Sequence, residues 1–126
     1  MEAKGTFEVA IRPLEGYADG VGRMSLDKTF SGDLTATSQG EMLTAVTDVE
    51  GSAGYVAVEQ VRGALHGREG AFLLQHFGIM QGGTNRLVLE VVPDSGTGKL
   101  TGLSGTMTIQ IDADGVHYYR LGYTLG

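Results

Sequence analysis

Residues 54–67 read GYVAVEQVRGALHG, and their period decides what kind of chain this is. Every second residue from Tyr55 through Ala57, Val61 and Leu65 is apolar or small, while Val56, Val58, Gln60 and Arg62 fall between them. A period of two puts these sets on opposite faces of a β-strand, and no helical period fits the same window. The apolar face carries one misfit, Glu59.

The same alternation recurs outward in both directions. Upstream lie TFEVAIRP (6–13), RMSLDKTF (23–30) and the long, Thr-rich DLTATSQGEMLTAVTDV (33–49), where Gly40 is expected to mark a bulge or bend. Downstream come AFLLQHFGIM (71–80), apolar on both faces, then RLVLEVV (86–92), TMTIQI (106–111) and VHYYRLGYTL (116–125). Gly, Asp, Asn or Ser closes each run, and Asp114-Gly115 in DADG suits a type I′ turn. About eight strands at this spacing predict an all-β domain. A closed antiparallel up-and-down barrel leaves no exposed edge, so it is expected over a two-sheet sandwich.

Composition limits the functional classes. The 126 residues suffice for one domain with one core, here residues 1–126 as a single β-barrel. Nine Lys and Arg against fifteen Asp and Glu give a formal charge of −6, which argues against nucleic acid and anionic membrane surfaces as partners. The chain has no cysteine, so disulfides, thiol catalysis and thiolate metal sites are excluded. The charged start MEAKGTFEVAIRP and the lack of a long apolar span predict a soluble, cytoplasmic protein.

The stretch VVPDSGTGKLTGLSGTM (91–107) imitates a phosphate loop. It fails the pattern GxxxxGK[ST], because Pro93 stands at the first glycine and Leu100 at the hydroxyl position. GxGxxG fails as well, since Thr101 follows Gly96 and Gly98 at the third place. A strand rather than a helix comes next, so no helix N-terminus is available for a phosphate and GTGK is read as a turn. GLSG (102–105) has the wrong spacing for a nucleophile elbow, and DADG lacks the remaining ligands of a calcium loop. His66 and His76 lie ten residues apart with no HxH pair, so neither a metal nor a cofactor is expected.

The strings MSLDKTFSGDL (24–34), GYVAVEQVRGALHGREGAFLLQHFG (54–78), VVPDSGTGKLTGLSGTM and HYYRLGYTL (117–125) resemble the uncharacterised bacterial domain-of-unknown-function family 3224 along nearly the whole chain. The resemblance implies a barrel similar to that of allene oxide cyclase, which closes an unsaturated fatty-acid epoxide in an apolar cavity. It implies no activity for this chain.

Polar residues on inward faces define the candidate site. Lys28, Tyr55, Glu59, Tyr119 and Tyr123 fall there by alternation, as does His117, and His76 joins them if Phe72, Leu74 and Met80 face in. Buried charges need partners, so Lys28 and Glu59 are expected either to pair structurally or to line a wet cavity. In the second case Lys28, Tyr55, Glu59, His76, Tyr119 and Tyr123 form a ligand-binding set for a small apolar molecule. Glu59 would then be a base, His76 a proton shuttle, and Lys28 or Tyr123 a donor to a ligand oxygen. An interior filled by Phe7, Met24, Phe30 and Phe72 would instead favour a structural or protein-interaction role. Outward Val56, Val58, Leu73, Phe77 and Ile79 form an apolar strip that predicts a homo-oligomer.

Overall fold

The computed structural model describes residues 1–126 and contains eight strands: β1 (Glu2–Ala18), β2 (Val21–Gly32), β3 (Leu34–Val46), β4 (Ala53–Leu65), β5 (Arg68–Gln81), β6 (Thr84–Val91), β7 (Leu103–Ile111) and β8 (His117–Leu125). Each runs antiparallel to the next, and β8 pairs with β1 to close an up-and-down barrel. The only helical residues are one 3-10 turn, Gly98–Leu100, and no helix is long and apolar enough to cross a membrane.

The alternating residues sit where the period of two requires. Ala57, Glu59, Val61 and Leu65 of β4 are buried, while Val56, Val58, Gln60 and Arg62 are exposed. In β5, Phe72, Leu74 and His76 are buried, which settles the phase of the strand that was apolar on both faces.

The two ends of the barrel differ. At one end, Leu34, Leu65, Phe72, Leu100, Leu103 and Leu121 pack into a continuous core, each almost inaccessible to solvent. The GTGK segment helps to close this end. Thr97 exchanges backbone and side-chain hydrogen bonds with Ala71, and the Ser95 hydroxyl accepts the Leu73 N–H. This seats the loop along β5 and drives Leu100 inward, so the lysine that suggested a phosphate loop lies on an exposed turn. At the other end the strands run on past the core. No residue from Ala10 to Gly20 is buried, so this end forms an open mouth.

Two local expectations are corrected. The register of β3 runs unbroken through Gly40 on both sides, so this glycine is not a bulge. The DADG hairpin is not type I′, because only His66 and Asp94 have positive φ among non-glycine residues. Gly115 alone takes the left-handed conformation, at φ +83, and the Asp112 carboxylate accepts the N–H groups of Asp114 and Val116. An aspartate side chain thus caps a turn whose backbone the dipeptide alone did not specify.

Candidate functional site

Glu59 is the centre of the interior polar group, and the register explains why its neighbours reach it. Across β3 and β4, Gly40 stands opposite Glu59, while Ser38 and Lys28 occupy the adjoining row towards the closed end. Ala57 and His76 occupy the row on the mouth side. The missing side chain at position 40 is essential to this packing. A Cβ there would lie 2.3 Å from the Val58 carbonyl oxygen and 2.7 Å from the Glu59 Cβ.

Lys28 Nζ donates to Glu59 Oε2 at 2.8 Å, His76 Nε2 donates to the same oxygen at 2.8 Å, and the Ser38 hydroxyl donates to Oε1 at 2.8 Å. The Glu59 side chain is fully buried. Burial by itself raises its pKa, but the hydrogen bond from His76, the charge and hydrogen bond of Lys28, and the Ser38 hydroxyl outweigh it and bring the carboxyl down to about 2. Glu59 is therefore an anion that accepts from three donors.

An ionised carboxylate only accepts, so His76 carries a hydrogen on Nε2. In the neutral ring Nδ1 then accepts from the Tyr55 hydroxyl, 2.9 Å away. Burial, followed by the Glu59 charge, pushes the Tyr55 phenol up to about 12, so it keeps its proton and remains a donor at neutral pH. The result is a hydrogen-bonded chain from Tyr55 through His76 and Glu59 to Lys28.

This chain borders a cavity of about 360 Å³ that opens at the mouth. Lys28, Tyr55 and His76 line it together with Phe7, Met42 and Ile109 and other largely apolar residues. The Lys28 ammonium, whose one hydrogen bond goes to Glu59, sits 5.0 Å from the centroid of the Phe7 ring. His117 faces the same cavity and lies against Phe7 at 5.0 Å between centroids, the rings tilted by 42°.

The structure thus brings together Lys28, Tyr55, Glu59 and His76, but it sets Tyr119 and Tyr123 elsewhere. Tyr119 is buried at the closed end, where its hydroxyl accepts from the Leu34 N–H and donates to the Ser31 carbonyl, both at 2.9 Å. Tyr123 is hydrogen-bonded to His66 on the β4–β5 turn, and the other nitrogen of His66 lies 3.6 Å from Asp33. Both tyrosines point inward as alternation requires, but the height of a residue along the barrel depends on register, which alternation does not report. Ser38 was missed for a related reason. It shares a face with Leu34 and Ala36, and a small hydroxyl in a Thr-rich strand gives no sign of the carboxylate beside it.

The family model described as "Protein of unknown function (DUF3224)" matches residues 3–123. The chain belongs to the DUF3224 family. A crystal structure of a DUF3224 protein of unknown function from Shewanella oneidensis MR-1 is 57% identical, covers 100% of this chain and 97% of its own, and superimposes with a TM-score of 0.95. No curated protein matches the chain. DUF3224 membership carries the barrel with it and leaves the chemistry to be read from the cavity.

Proposed function

We propose that this DUF3224 barrel binds a small apolar molecule carrying an oxygen acceptor, with the apolar part in the mouth cavity and the oxygen against Lys28. One observation carries the reading: a buried ammonium with a single hydrogen bond faces a cavity whose lining is otherwise mostly apolar. An ammonium has three donors, so a ligand carbonyl or carboxylate can be held without breaking the Glu59 pair. The cavity volume lies near the lower end of the range for small-molecule sites, roughly 300–1,000 Å³. The resemblance to the allene oxide cyclase barrel, with its apolar interior, supports the same assignment. The acidic surface fits a protein working in the cytoplasm away from anionic membranes.

Displacement of the fluorescent probe anilinonaphthalene sulfonate tests the proposal. A medium-chain methyl ketone is expected to displace it about tenfold more effectively than the alkane of the same length, the size of effect one hydrogen bond to a charged group gives. Ala53→Trp, which fills the cavity from its rim, should remove probe and ketone binding while leaving the melt nearly unchanged. Equal binding by Ala53→Trp and the parent protein would overturn the assignment.

A further inference from the structure

The outer wall of the barrel is polar on most strands, as Thr29, Thr106, Thr108 and Thr124 illustrate, and at the closed end of β3, as Thr35 and Thr37 show, but not across the mouth half of β3 to β6. There the register aligns Leu43, Val56, Phe77 and Val88 in one row perpendicular to the strands. Val58 adjoins this row on one side and Ile79 on the other. Val56 is 54% exposed and Val58 48%, on central strands whose backbones are already paired. Leu73 lies one row further, beside the 92–97 loop, and is half-buried.

The flanking charges divide by side. Towards the closed end the next row reads Glu41, Val58, Gln75, Glu90, and towards the mouth it reads Ala45, Gly54, Ile79, Arg86. Glu41 is neutralised within the chain by Arg23 at 2.7 Å, whereas Glu90 has no ion-pair partner. Arg86 lies over the Phe77 ring, 5.7 Å from its centroid, with its charge at the margin of the apolar row.

We infer that this face binds a second copy of the chain, with a two-fold axis along the row Leu43–Val56–Phe77–Val88. Such an axis exchanges the two flanking rows. Glu90 of each copy then faces Arg86 of the other, giving two symmetric ion pairs on the β6 flank. The same rotation places Val58 of one copy over Gly54 of the other. Gly54, which has no side chain, lines a hollow of about 350 Å³ together with Leu43, Val56, Phe77 and Ile79. Knob, hollow and charges are therefore complementary under one operation, as an isologous interface requires. The row lies on the outward side-chain face of paired strands and not along a strand edge, so the copies stack face to face with their sheets about 10 Å apart.

Sedimentation velocity at about 10–100 µM, a range suited to micromolar affinities, tests the interface. The parent protein should be a dimer. Arg86→Glu and Glu90→Arg should each raise the dimer dissociation constant about tenfold or more by creating like-charge contacts. The double variant should return to within about threefold of the parent, and circular dichroism should show all three variants folded. A parent protein that is monomeric throughout, a dimer indifferent to Arg86→Glu, or a double variant no better than the singles would each overturn the inference. So would a monomer that co-sediments with phosphatidylcholine vesicles, which would give the face to a lipid surface.

Discussion

At Glu59 the balance between desolvation and hydrogen bonding is read directly as stability. Its carboxyl is depressed from 4.5 to about 2. A group whose folded pKa lies below its unfolded value contributes stability above the unfolded pKa and loses it as pH falls through the folded one. The contribution, roughly 3 kcal/mol, should be complete above about pH 4.5 and gone near pH 2. Glu59→Gln removes the anion but leaves the Lys28 ammonium buried, so at neutral pH it should cost on the order of 3 kcal/mol or more. Urea melts of both proteins between pH 3 and 6 check this, because their stabilities should converge as the pH falls. A constant difference across that window would show that Glu59 is not the titrating group. The sequence already exposed this residue as a charge on an apolar face, along with Lys28 and His76. It did not distinguish the mouth group of Lys28, Tyr55, Glu59 and His76 from Tyr119 and Tyr123 below, because all six obey the same alternation.

Among the elements, the loop between β6 and β7 shows how composition can mislead and packing correct. GTGK draws attention to Lys99, yet Lys99 is exposed and the adjacent Leu100 is 1% exposed in the core. Leu100→Ala should therefore lose about 2–5 kcal/mol, as expected for truncation of a buried leucine. Lys99→Ala should stay within about 0.5 kcal/mol of the parent. Thermal and denaturant melts of the two variants separate these outcomes, and equal effects would contradict the plug. The strands themselves were legible as to number and order, since each alternates and is closed by turn residues. Their ends were less so: β1 is legible as residues 6–13 and extends over Glu2–Ala18. Those outer residues are strand because β8 pairs with one end and β2 continues along the other, and such partners lie outside a local window. The Asp112 cap and the seating of Ser95 and Thr97 on β5 are likewise contacts the local sequence does not announce.

For the whole molecule, the decisive feature is the uneven closure of the barrel. β4 and β5 are joined along thirteen residue pairs, from Ala53↔Met80 to Leu65↔Arg68, while β6 and β7 share two, Leu89↔Met107 and Glu90↔Thr106. Beyond those two pairs, Thr84–Val88 pair with β5 alone and Thr108–Ile111 with β8 alone. The wall therefore parts towards the mouth, beside the cavity that Ile109 and His117 help to line. Backbone amides without a cross-strand acceptor exchange with solvent through small local openings, and those bonded between central strands wait for larger ones. Deuterium uptake should accordingly be about a hundredfold faster at the alternate amides of residues 84–88 and 108–111 that face the seam than at residues 56–62 of β4. A ligand seated against Lys28 would contact the inner side of the parted wall and slow exchange at 108–111, without changing residues 97–103 at the closed end. Uniform protection around the barrel would show that the seam holds as firmly as β4–β5. Ligand-induced slowing confined to the closed end, which Leu34, Leu65, Phe72 and Leu100 already fill, would contradict a ligand seated against Lys28.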